Sequence, residues 1–274
     1  MTQWRNYRVT LRLRSPLHVG RGKVGNLQLT RRYVPGRSVW GALAAGLVAA
    51  GEVDDYRRAG QLVSEQLALS YFYLSTLPEK VTCWPWDDGF AWQFMGSWSG
   101  TALEGGRAAD GTLHEVEYIA PRTRDCEPVY LIGHIFERVG VALPWQGLLA
   151  HLQLGGEQTY GWGQLSLHGR PQEVGDCFAY QTSISEDRPT VLAEAAKPFL
   201  AHAKLSSLTC QGDVEPLVGR ETDAVRAYFG RNVAFVGVCW APGSCDPNAD
   251  HWFIVGEKGV WQSEQLGFAS SSVP

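Results

Sequence analysis

Polar and apolar residues alternate with period two from Tyr7 to Arg14. Tyr7, Val9, Leu11 and Leu13 fall on one face, and Arg8, Thr10, Arg12 and Arg14 on the other. The pattern predicts a half-buried strand with a basic outer face. A polar stretch follows, SPLHVGRGKVGNLQLTRRYVPGRS, with glycines at 20, 22, 25 and 36, and it reads as a loop. Pro35 and Gly36 then lead to Ser38, a predicted N-cap. The small residues of VWGALAAGLVAAG, with Leu43, Leu47 and Val48, predict a closely packed helix ending near Gly51.

A second helix is predicted at 61–73, after which periodicity fails. Residues 83–128 hold Trp84, Trp86, Trp92 and Trp98 among glycines and charges and read as an irregular insertion. The apolar run 129–136 predicts a strand. Trp145, Leu148, Leu149 and Leu152 mark a short helix, GGEQTYGWG forms a loop at 155–163, and 164–168 predicts a last strand. The order β-α-(insertion)-β-α-β predicts an α+β domain of the split βαβ, ferredoxin-like kind over 1–170. Residues 171–274 form a C-terminal extension or small second domain. Helices are expected there at 190–203 and 221–229, and β-runs at 233–240 and 251–255 around the turn-forming APGSCDPNAD.

Charge changes the picture. The 274 residues carry 24 Lys plus Arg against 28 Asp plus Glu, a net charge of −4. Residues 1–50 hold eight Arg, one Lys and no carboxylate, which leaves −13 for the remainder. A basic end of this kind suits a phosphate-bearing partner, and arginine's planar fork matches phosphate. With 45% apolar residues the chain can build a sizeable core. It shows neither a run of about 20 apolar residues nor a signal-peptide core, so no membrane contact and a cytoplasmic location are expected.

Candidate chemistry is sparse. The string GRGKVG at 20–25 satisfies GxGxxG, but no helix opens at its third glycine and no acidic residue occurs before Glu52, so a dinucleotide site is rejected. The six cysteines form no CxxC pair; Cys239 and Cys245 near Asp246, Asp250 and His251 read as a turn rather than a metal site. His114, Glu115 and Glu117 read as an exposed strand or turn. No cofactor and no metal is expected. His18, beside Arg21 and Lys23, offers either a general base toward an RNA 2′-hydroxyl or a hydrogen bond to backbone or phosphate, and the second role is preferred. In the loop 155–163, Gly155, Gly156, Gly161 and Gly163 permit close backbone approach, Thr159 can donate to phosphate, and Tyr160 and Trp162 offer stacking faces.

SPLHVG after the first strand, RYVPGRSVWGAL entering the first helix and the late LGGEQTYGWGQLSL together resemble the RAMP superfamily of CRISPR-associated proteins, over roughly residues 7–168. The resemblance implies an RRM-type fold that grips guide RNA by its backbone within a type III-like effector complex. Its partners would be guide RNA, target RNA and other effector subunits. The helix N-terminus at Ser38, with Arg14, Arg31, Arg32 and Arg37 nearby, and the glycine-rich loop would contact phosphates. Two departures bear on activity. Target-cleaving members carry an aspartate between the first strand and the PG motif, whereas residues 15–36 here contain neither Asp nor Glu. Guide-processing endonucleases of the superfamily place the glycine-rich loop near the C-terminus, but here 111 residues follow Gly163. The expectation is therefore a non-catalytic backbone or capping subunit with no catalytic residue. The alternatives are a metal-independent endoribonuclease, with His18 as base and Lys23 or Arg21 stabilising the phosphate, and a protein-interaction module.

Overall fold

The computed structural model describes residues 3–140, 143–184, 187–205, 209–222 and 229–263. The chain forms β1 (Trp4–Leu13), the hairpin β2 (Gly20–Val24) and β3 (Leu27–Thr30), and helices α1 (Gly36–Ala49) and α2 (Tyr56–Gln66). Next come β4 (Leu67–Leu69), β5 (Tyr73–Ser75), α3 (Phe90–Phe94), β6 (Met95–Gly100), β7 (Leu103–Glu104), β8 (Arg107–Ala108), β9 (His114–Ile119) and β10 (Tyr130–Arg138). A short helix α4 (Trp145–Leu148) runs into a 3-10 turn before β11 (Leu165–Leu167) and β12 (Gln172–Glu173). The remainder is β: β13 (Thr182–Ser183), β14 (Thr190–Ala193), β15 (Ala203–Lys204), β16 (Val214–Thr222), β17 (Phe229–Trp240), β18 (His251–Val255) and β19 (Trp261–Ser263). This is a mixed α/β molecule of several sheets and few helices. Among the described residues no helix is long and apolar enough to cross a membrane.

The central sheet has the order β11-β1-β10-β4, with β5 beside β10, β12 beside β1, and all pairings antiparallel. The helices between β1 and β4, and α4 between β10 and β11, pack on one face over a core that includes Val9, Leu11, Leu43, Leu47, Leu131, Ile135 and Trp145. In α1 the buried Val39, Leu43, Ala44 and Leu47 recur at helical spacing. In α2 the Asp55 side chain caps the helix by accepting from the Arg57 N–H at 2.8 Å. The two helices meet at Gly60, where a Cβ would lie 2.5 Å from the Trp40 ring.

The opposite face of the sheet is covered too, which corrects the expected basic outer face of β1. A second core joins Trp4, Ala68, Tyr71, Tyr73 and Phe136 to Val191, Phe199, Leu200, Phe253 and Trp261. Asn6 and Thr10 are buried and donate to carbonyls of Gly175, Asp176 and Pro78. Two-sided burial also explains why the predicted helix at 61–73 ends at Gln66. Residues 67–75 are all buried, with Leu67, Leu69, Phe72 and Leu74 in one core and Ala68, Tyr71 and Tyr73 in the other. Aromatic residues divided between two faces suit a strand.

The C-terminal layer is a sheet of order β13-β14-β18-β19-β15-β17-β16. The helix expected at 190–203 is instead β14 and a loop, since Pro198 interrupts the run and Thr190–Ala193 pairs with β18. Of the helix expected at 221–229, Glu221 and Thr222 end β16 and Phe229 begins β17; 223–228 lie outside the described residues. The insertion at 83–128 is more ordered than its composition implies. β6 and β9 pair with each other, and β9 pairs in parallel with β3, giving a four-stranded sheet β2-β3-β9-β6 that absorbs the supposed loop at 15–36.

Candidate functional site

The helix start differs in detail from the expected Ser38 cap. Pro35 occupies the N-cap with φ −61° and ψ 147°, and no side chain caps the helix. Ser38 sits in the first turn, its N–H donating to the Pro35 carbonyl at 2.9 Å. Proline presets the entry angle. Gly36 is required because a Cβ there would lie 2.9 Å from the Lys258 carbonyl oxygen and 3.1 Å from that of Leu69. The Pro-Gly pair is therefore the point at which α1, the central sheet and the C-terminal layer converge.

A cleft of about 620 Å³ opens at this junction. It is walled by Val19, Gly20, Arg31, Pro35, Arg37 and Ser38, by Gly155 and Gly156, and from the C-terminal layer by Arg188, Lys204, Glu221, Glu257 and Lys258, with apolar residues between. Five cations against two wall carboxylates leave it net positive. The glycine-rich loop is fastened to the opposite rim. Gly156 N–H donates to the His18 carbonyl at 2.9 Å, and Gly163 N–H to that of Pro16 at 2.7 Å. A Cβ at Gly155 would fall 2.2 Å from the His18 oxygen, and one at Gly163 1.8 Å from the Leu154 oxygen, both at positive φ.

The expected contacts then divide. Arg37, Ser38, Gly155 and Gly156 share the cleft. Arg31 reaches it but is only 8% exposed; its Nη1 donates to Glu215 at 2.6 Å and to the Tyr33 hydroxyl at 3.0 Å. It is thus a buried ion-pair partner rather than a free phosphate ligand. Arg32 turns away to the Pro85 carbonyl at 3.1 Å, and Arg14 is exposed beyond β1 beside Gln164. Arg21 and Lys23 stand exposed on the β2–β3 hairpin, Arg21 lying 3.9 Å from Glu215. Thr159 and Tyr160 are exposed at the loop tip.

His18 is buried between the loop and the insertion sheet, and its Nδ1–H donates to the Glu117 carbonyl at 2.8 Å. That arrangement matches the expected hydrogen bond to backbone. The Glu117 carboxylate accepts from Thr30 N–H at 3.0 Å, and Asp246 accepts from His251 at 2.7 Å and from Asn248 N–H. Among the described residues no group of three or more His, Cys, Asp or Glu is placed to hold a metal.

The acidic tail does not simply face outward. On β16, Glu221 pairs with both Arg37 and Lys258, and Lys258 lies 4.4 Å above the Trp40 ring. Glu215 joins Arg31 and His202, whose Nδ1 accepts from the Tyr71 hydroxyl at 2.6 Å. Burial alone would raise the Glu215 carboxyl, but donors from His202 and Arg31 outweigh it and hold the group down at about 2. Burial lowers His202, so its imidazole stays neutral with Nε2–H toward Glu215. Arg188 donates to carbonyls of Val255, Ser64 and Gly256, while Lys204 is exposed without an ion-pair partner among the described residues. Arg188, Lys204 and Lys258 were invisible as site residues because they are isolated cations in an acidic segment with no motif.

No family model matches the sequence, and no curated protein is significantly similar to it. Among solved structures, the fold is similar to a chain of the cryo-EM structure of the Type III-B Cmr-beta bound to cognate target RNA and AMPPnP. The TM-score is 0.51 at 12% identity, covering 86% of this chain and 84% of that one. At that identity the likeness is one of fold.

Proposed function

We propose that the chain is a non-catalytic, guide-RNA-binding subunit of a type III-like CRISPR effector ribonucleoprotein acting in antiviral defence. Its central sheet serves as the ferredoxin-like, RRM-type unit, and the cleft grips the RNA phosphate backbone. One observation carries the reading: two loops 120 residues apart, the Pro-Gly helix start and the glycine-rich segment, converge on one net-positive cleft. A helix N-terminus, close-approach glycines and unpaired or shared cations suit a phosphodiester chain without reading its sequence. The fold likeness to a chain of an RNA-bound Type III-B assembly supports the same direction. The absence of any carboxylate at 15–36 and the buried ring of His18 favour a holding role over cleavage. The exposed apolar side chains Val214, Val218, Val233, Phe235 and Val238 on the β16–β17 hairpin favour assembly with protein neighbours.

The test is anisotropy of a labelled single-stranded RNA titrated with the chain across salt concentrations. With Arg31 neutralised by Glu215, about two net phosphate contacts remain, and log affinity falls against log salt with a slope near −1.4, roughly sevenfold between 50 and 200 mM. Lys204→Ala with Lys258→Ala flattens that slope by roughly one unit, largely regardless of sequence. Salt-insensitive binding, or none, refutes the reading.

A further inference from the structure

The glycine-rich loop lines a second hollow, of about 330 Å³, with its other side. Its walls are Pro16, Trp98, Tyr118, Glu157, Tyr160 and Trp162. Trp162 stands edge-on to Tyr118 at 5.3 Å and to Trp98 at 6.2 Å, with interplanar angles of 72° and 73°. The neighbouring strands are built to lay these rings down. A Cβ at Gly96 would meet the Tyr118 ring at 2.7 Å, and one at Gly100 the Trp98 ring at 2.6 Å. Trp98 is nonetheless 47% exposed and Tyr160 73% exposed, so aromatic surface is held open to water. Glu157 is kept at φ 58°, an uncommon conformation for a residue other than glycine. No donor among the described residues is bonded to its carboxylate.

Gly155 and Gly156 face the phosphate cleft, while Glu157, Tyr160 and Trp162 face the hollow. The geometry points to a nucleobase pocket: a nucleotide whose phosphate lies in the cleft beside Gly155 and Gly156 turns its unstacked base into the box formed by Trp98, Tyr118, Tyr160 and Trp162. Flat π-faces accept any base. The acceptor-only Glu157 carboxylate adds a preference for a base edge bearing amino donors, so adenine is favoured over uracil.

The inference rests on the phosphate-gripping reading, and the experiment separates the two. The full chain is titrated with a short labelled RNA strand and with a strand of equal length carrying abasic sites throughout. Tyr160→Ala and Trp98→Ala, both at exposed rings, each weaken binding to the intact strand on the order of tenfold. They leave the abasic strand unaffected and the salt slope unchanged, and Tyr160→Phe retains wild-type affinity. Glu157→Gln narrows the difference between oligo-A and oligo-U. Equal wild-type affinity for intact and abasic strands, with a normal salt slope, discards the pocket and leaves the phosphate grip standing. Absence of RNA binding by the wild type discards both. Equal weakening on both strands in Tyr160→Ala, or unchanged RNA affinity with loss of a protein neighbour, also overturns the proposal, the latter giving the box to a cationic side chain.

Discussion

Arg31 shows how the structure redirects an experiment. Read from sequence, Arg31→Ala tests phosphate binding; in the folded chain it breaks a buried ion pair. Arg31→Met removes the guanidinium while keeping much of the side chain's bulk, leaving the Glu215 carboxylate with His202 and Arg21, the latter 3.9 Å away and 57% exposed. Removing one partner of a buried pair costs roughly 3–5 kcal/mol, and the 18% exposure of Glu215 places this case near 3. The depression of Glu215 to about 2 comes from the His202 and Arg31 donors together, so loss of the guanidinium relieves only part of it. Urea unfolding at pH 7 measures the loss. Arg31→Met with Glu215→Gln recovers much of it, because no unpaired charge then remains buried and the amide oxygen still accepts from His202. The sign with pH follows from the direction of the shift. A carboxyl held below its unfolded value of about 4.3 contributes fully above that pH, and the contribution is lost as pH falls toward 2. In Arg31→Met the folded value moves back toward the unfolded one, so this acid-dependent loss becomes smaller and is complete at a higher pH. A single-variant cost under about 1 kcal/mol, or no recovery in the double variant, refutes the coupling.

Burial lowers His134 to about 3, with Nδ1 against the Asn6 amide oxygen and Nε2 accepting from the Phe178 N–H. The unfolded chain takes up that proton first, so stability is retained above about pH 6.5 and falls toward pH 3 at roughly 1.4 kcal/mol per unit; His134→Gln reduces the slope of urea stability between those limits. Gly163→Ala destabilises the chain by at least 1–3 kcal/mol and reduces RNA affinity, whereas Gly105→Ala, with nothing within 4 Å of its added Cβ, costs only about 1 kcal/mol of backbone strain and leaves RNA binding intact. Repeat RNA incubated with the chain in EDTA stays whole; specific cleavage lost in His18→Ala would reinstate the endoribonuclease alternative.

Local signals located β1, α1, β10, β11 and β18 within a few residues, because each is a run whose period or bounding turns resist competing readings. The Pro-Gly and glycine-rich segments were also legible, since close backbone approach leaves few residue choices. The boundary of α2, the order inside 83–128 and the strands at 190–193 and 214–222 were not. Each depends on a partner distant in sequence: Tyr71 and Tyr73 are strand residues because a second layer covers them, and β9 exists because β3 lies beside it.

The sequence by itself determined a basic N-terminal segment and a late glycine-rich loop within a mixed α/β chain, since charge and glycine content are local properties. Only the tertiary structure decided which charges remain available. Ion pairing acts across space, so Glu215 occupies Arg31 and Glu221 is shared between Arg37 and Lys258, each acid lying 184 residues from its arginine. The cleft's exposed cation, Lys204, comes from the acidic tail.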